Sequence, residues 1–200
     1  MAKSTGGRDG IAVMPVGEVP ELAVKIVATH VAEAFQVPAD VLPACELPRE
    51  SLDARRLQYD AGRILGALER RAFAGYRKVV AVFSVDLFIP IFTHVFGEAR
   101  QGGRIALVSL ARLVRNVDGS VPSPAVGWTR AAKVALHEVG HLFDLPHCQD
   151  ERCLMHFSGG VDDLDQTPLQ FCRYCALILH DALSAPPAVS GRTEPAPDGP

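Results

Sequence analysis

Twelve consecutive residues, His137-Glu138-Val139-Gly140-His141-Leu142-Phe143-Asp144-Leu145-Pro146-His147-Cys148, constrain this chain more than any other stretch. In a helix, residues four apart are about 40° from eclipsed and about 6 Å apart along the axis, so His137 and His141 can aim ring nitrogens at one point. Glu138 points about 100° away, beside such a point rather than at it, where a carboxylate can act as a base. His147 would lie about 15 Å further along a continuing helix, too far to join the pair. Pro146 disfavours helical geometry at Leu145, so the helix is expected to end at or near Asp144 and the chain to fold back, presenting His147 as a third ligand. Three imidazoles around one metal leave a fourth position for water, the catalytic rather than the structural zinc arrangement.

The cysteines form a second constellation. Cys148-x4-Cys153 is followed, after eighteen intervening residues, by Cys172-x-x-Cys175, so four of the five cysteines fall within 28 residues. Two close pairs separated by a loop can surround one tetrahedral Zn²⁺ with four thiolates. Disulfides and a redox Cys-x-x-Cys are the alternatives. The start, Met-Ala-Lys-Ser-Thr-Gly-Gly-Arg, has no apolar signal segment and no run reaches membrane-spanning length, which favours a reducing, cytoplasmic setting and therefore metal. Cys45, the odd one, is expected to be a small buried hydrophobe.

Together these residues, His-Glu-x-x-His-x-x-Asp144-x-x-His-Cys-x4-Cys-x-Met and then Cys-x-x-Cys, resemble the archaemetzincin family of zinc metallopeptidases, whose pattern has Gly where this chain has Asp144. Ile11-Ala-Val-Met-Pro15-Val-Gly17, Arg56-Leu-Gln58-Tyr59, Asp86-Leu-Phe88-Ile-Pro90 and Val95-Phe96-Gly97-Glu98-Ala99 are also similar to that family, so the match runs from about residue 11 to 178. The resemblance implies a metzincin-like α+β fold, with a small twisted mixed sheet, helices, and a short zinc-stapled C-terminal part after the active-site helix. It also implies a catalytic zinc on His137, His141 and His147 with Glu138 as base. Met155 would form a Met-turn, and a second, structural zinc would sit on Cys148, Cys153, Cys172 and Cys175.

A chain of 200 residues with 48% hydrophobic content can bury one ample core. A net charge of −3 gives no electrostatic case for nucleic acid or an anionic membrane. One peptidase domain is expected over residues 11–183, with a flexible segment at 1–10 and a disordered, proline-rich tail at 184–200. Strands are expected at 11–16, 40–47, 78–84, 93–99 and 104–110, the last two as a hairpin about Gly102-Gly103. Helices are expected at 21–36, with Leu22, Ile26, Val27, Val31 and Phe35 on one face, and at 58–73. A loop over 116–127 should lead to an active-site helix starting near Trp128 or Thr129.

In metzincin-like folds an edge strand above the cleft aligns an extended substrate, here within 93–99 or just after it, so His94 and Glu98 are candidate cleft residues. The expected reaction is zinc-assisted hydrolysis of peptide bonds in a peptide or protein substrate by a monomer. An apolar or neutral residue is expected after the scissile bond, against Leu142, Phe143 and Leu154. His156 either touches substrate or is a satisfied loop histidine. The alternative is a catalytically weak or silent zinc-binding interaction module, favoured by Asp144 and opposed by the intact Glu138.

Overall fold

The computed structural model describes residues 10–185. Strand β1 (Gly10–Val16) leads to helix α1 (Glu21–Phe35), β2 (Ala39–Val41), β3 (Leu52–Asp53), β4 (Gln58–Asp60), α2 (Ala61–Glu69), β5 (Tyr76–Phe83), β6 (Leu87–Ile89), β7 (Phe92–Val95), β8 (Gly97–Ala99) and β9 (Ile105–Ser109). Then come α3 (Pro124–Leu142), α4 (Val161–Gln166) and α5 (Arg173–Ser184). The expectations for the chain ends fall almost wholly outside the described residues, with Gly10 opening β1 and Ser184 closing α5.

The main sheet has the order β2-β1-β5-β9-β8; all pairs are parallel except β8 with β9. Strands β1 and β9 and the stretch of β5 from Val79 to Phe83 are apolar at nearly every position because both faces are covered. Ile11, Val13, Val80, Val82 and Val108 pack toward α1 and α3. Ala12, Met14, Val79, Ala81, Phe83 and Leu107 pack toward α2 through Ile64, Leu65 and Leu68. The resulting α/β/α layering agrees with the expected mixed sheet flanked by helices, and a smaller sheet, β3-β4-β6-β7, adjoins it.

Local boundaries differ from expectation for identifiable reasons. On α1 the buried stripe runs through Ala23, Val24, Val27, Ala28, Val31 and Phe35, leaving Leu22 exposed, because small residues let the helix sit close to the sheet. Residues 58–60 are strand, and α2 starts only after Asp60 caps it by accepting a hydrogen bond from the Arg63 amide. The expected strand at 93–99 is two strands broken at Phe96: β7 pairs with β6 in the small sheet, whereas β8 forms the expected hairpin with β9. Of the expected strand at 40–47 only Ala39–Val41 and an isolated Val16–Cys45 bridge form, and Cys45 is half-buried against the α2 face. Helix α3 begins four residues early because Pro124 occupies its first turn, where a fixed φ and a missing N–H cost nothing.

Two features of this frame position the cleft. Helix α3 is buried along most of its length by small residues such as Ala131, Ala132 and Ala135, so its C-terminal half is held rigidly under the sheet edge. Strand β8 is the last strand of the main sheet, which leaves its outer edge unpaired directly above α3.

Candidate active site

The end of α3 shows how the third histidine is delivered. The Asp144 amide donates to His141 O (3.0 Å) and the Leu145 amide to Gly140 O (3.1 Å), the paired bonds of a Schellman cap, with Asp144 at φ +65°. Leu145 is buried beneath this turn, and the chain reverses through Pro146 to His147. The turn also orients the preceding ligand candidate, because His141 Nδ1 donates to Leu145 O at 2.7 Å.

His137 is oriented likewise, its Nδ1 donating to Leu154 O at 2.9 Å. Each ring's proton is therefore committed to a carbonyl, and the two Nε2 lone pairs face one another at 3.1 Å. Two acceptors that close repel unless a cation lies between them. The His147 ring centroid is 5.2 Å from that of His137 and 4.9 Å from that of His141, and donor atoms of all three residues lie within 4.8 Å of one another. Desolvation holds His137 at a pKa of about 3 and also lowers those of His141 and His147, which favours the neutral rings that a metal requires. The donor set fits a divalent metal.

Glu138 is buried beside this cluster against the backbone of β8. A Cβ at Gly97 would lie 2.6 Å from Glu138 Cγ and 2.7 Å from its Oε1, so only glycine leaves room for the carboxylate. Burial, and then the neighbouring Glu98, raise the Glu138 pKa well above the usual carboxylate range. Beneath the cluster, Met155 is fully buried, and a Cβ at Gly140 would lie 2.5 Å from its sulfur. The methionine thus packs into a notch in α3 between the two histidine turns.

The cluster opens into a cleft of about 550 Å³ between β7–β8 and α3. His94 and Glu98 both line it, as do Lys133, Val134, Leu154, Phe157 and Leu164. Leu142 and Phe143 do not: they are buried in the core, because the helix turns that side away from the sheet edge. His156 is a satisfied loop histidine, its Nδ1 donating to Cys148 O at 3.1 Å. Gly97, Gly140 and Lys133 are the site residues that sequence reasoning missed. The first two answer contacts with residues distant in the chain, a need for glycine that spacing does not reveal, whereas Lys133 stands four residues before His137, on the helix face that carries the histidines.

The four cysteines also converge, their sulfurs within 4.8 Å of one another, and Cys148 and Cys172 Sγ are 3.9 Å apart. A disulfide needs about 2.05 Å. Backbone amides point at these sulfurs: Met155 and Cys172 N–H donate to Cys153 Sγ, and Cys175 N–H to Cys172 Sγ. The Cys175 amide holds the Cys172 thiol below its ordinary pKa, while burial pushes Cys153 and Cys175 up. Four sulfurs gathered with amide donors around them are suited to a cation that keeps them as thiolates.

Neutral imidazoles with opposed lone pairs, next to a buried carboxylate in an open cleft, make up the centre of a metal-dependent hydrolase. Relatives narrow the class. The model of peptidase family M54 matches residues 18–181. The archaemetzincin of Methanocaldococcus jannaschii is 34% identical over 171 residues, spanning 86% of this chain and 93% of that protein. That of Pyrococcus furiosus is 34% identical over 193 residues, covering 93% and 100%. Among solved structures, the Methanopyrus kandleri archaemetzincin superposes with a TM-score of 0.79 at 32% identity, over 92% of this chain and all of that one. The Archaeoglobus fulgidus archaemetzincin, solved with malonate, gives 0.74 at 31% identity over 84% and 99%. The chain belongs to peptidase family M54 and is a zinc metallopeptidase of the archaemetzincin type.

Two substitutions probe the geometry. Asp144 lies against Gly102, away from the three-imidazole group, so its role is that of the left-handed cap residue. Asp144→Gly should keep zinc content and activity and gain about 1 kcal/mol of stability, whereas His147→Ala should lose the catalytic zinc. Zinc analysis of both variants checks this, and the opposite pattern would make Asp144 the third ligand. Gly97→Ala should leave the fold and zinc intact, because the clash falls on a flexible side chain, yet lower kcat about 100-fold by displacing the Glu138 carboxylate. Steady-state kinetics beside thermal melting test it; an unchanged kcat would mean that catalysis does not depend on where this carboxylate lies.

Proposed function

We propose that this chain hydrolyses peptide bonds with Glu138 as the general base, beside a zinc held by His137, His141 and His147, and that a second, structural zinc is held by Cys148, Cys153, Cys172 and Cys175. The carrying observation is the pair of opposed Nε2 atoms 3.1 Å apart beside the buried Glu138. Held there, zinc would supply Lewis acidity toward water and the scissile carbonyl, and a positive charge that would favour ionised Glu138. Glu138, fixed between Gly97 and α3, takes the proton of the attacking water and returns it to the leaving amine. The free edge of β8 pairs with the substrate backbone, a sequence-tolerant way to hold an extended peptide. The Leu154 and Leu145 carbonyls keep both helix histidines in the tautomer whose Nε2 is free.

Unbridged cysteines suit a reducing compartment such as the cytoplasm, and none of the described helices is long and apolar enough to cross a membrane. The test is a peptide library digested with protein that is zinc-loaded, stripped by chelator, and reloaded. Cleavage should appear, vanish and return at the same bonds. Cleavage that survives stripping, or none in any state, would count against a zinc peptidase.

A further inference from the structure

Lys133 is an ammonium-bearing side chain that is 6% exposed and lines the floor of the cleft. It donates to Leu164 O at 2.7 Å and Asp165 O at 3.1 Å, which leaves one of its three protons without a partner among the described residues. Its surroundings are short of negative charge. Asp165, the carboxylate nearest to it, is taken in a two-pronged ion pair by the buried Arg130, at 2.8 and 2.6 Å. Arg130 and Lys133 thus share one carboxylate. Asp163 is turned to the Gly159 amide, and Asp162 faces Arg130 rather than Lys133. A buried cation with incomplete compensation is costly and gains most from an arriving anion.

Position along the cleft says which part of a substrate meets it. The turn at Gln101 and Gly102 joins the end of α3, through Gln101 Nε2 to Asp144 O and Gly102 N to His141 O, both 2.9 Å. A peptide added antiparallel to β8, the stronger of the two pairings, therefore enters beside Ala99 and leaves beside Gly97 and Phe96. Lys133, one helical turn before His137, lies toward the leaving end, where Ser158, Gly159 and Leu164 complete the wall. We propose that Lys133 sets specificity just downstream of the scissile bond, selecting a residue whose side chain carries a carboxylate, Asp or Glu. This replaces the apolar preference expected from sequence, and it rests on the peptidase reading above.

The test uses zinc-loaded full-length protein and matched peptides that differ only in the residue after the cleaved bond, Glu, Gln, Leu or Lys. The Glu peptide should exceed the Leu peptide about tenfold or more in kcat/KM, with the Lys peptide poorest. Lys133→Gln retains a donor for Leu164 O but no charge and should collapse the Glu-to-Leu ratio toward one; Lys133→Arg should retain it. A purely structural strut would change both peptides alike. Binding of product peptides that begin with Glu or Leu to the zinc-loaded Glu138→Gln protein reads the same pocket without turnover. If no peptide is cleaved, the peptidase reading fails, while this binding comparison still decides the role of Lys133. Equal affinity for the two products, or a preference that survives Lys133→Gln, would overturn the proposal.

Discussion

Glu138→Gln should bind as much zinc as the wild type and lose between about 10² and 10⁴ of its hydrolytic rate. The amide has the shape of the carboxylate, so the contact with Gly97 and the burial of the side chain are kept. Only the ability to take a proton is removed. The metal-free variant should melt no lower than the metal-free wild type at pH 7. Burial raises the pKa of Glu138 in the folded protein, so its contribution is present below the unfolded carboxylate pKa and is lost as pH rises toward the folded value. A neutral amide escapes that loss. Loss of about one zinc equivalent would make Glu138 a ligand instead, and retained activity would require another base.

The second large effect is expected at Cys172→Ser, which should release one zinc and destabilise the domain by about 3 to 5 kcal/mol. For a domain of this size that corresponds to a fall in melting temperature on the order of 10 °C. Cys172 caps α5, and its amide also donates to Cys153 Sγ, so the cysteine cluster ties the last helix to the loop that carries Met155. That loop supplies Leu154 O, the acceptor that orients His137. Activity should therefore fall as well, although no cysteine lines the cleft. Unchanged melting with full zinc content would exclude the four-thiolate site.

The gathering of the three histidines beside Glu138 was legible because their spacing is a local property of a helix and a turn. His137, Glu138 and His141 follow from the helical repeat, and His147 from the stop imposed by Pro146. The Schellman cap at Asp144 shows how that stop is made. The four cysteines were legible by the same local logic of paired spacing. What stayed hidden depends on partners distant in sequence. Nothing in residues 93–99 says that Phe96 divides two sheets, because hydrogen bonding to β6 or β9 is a tertiary choice. The requirement for glycine at 97 exists only once Glu138 lies across it. Pro124 opens α3 although its sequence setting reads as loop, because proline punctuates loops as well as helix starts. Lys133 was within reach, since it repeats the four-residue spacing of the histidines, but a charged residue on a helix ordinarily faces water.

The central claim, a hydrolytic zinc on three imidazoles served by Glu138 and a second zinc that is structural, is tested most directly by anomalous scattering at the zinc edge from crystals of the zinc-loaded protein. Two peaks are expected per chain, one enclosed by His137, His141 and His147 next to Glu138 and one enclosed by Cys148, Cys153, Cys172 and Cys175. A single peak, or a peak ligated by Glu138 or Asp144 in place of His147, would contradict it.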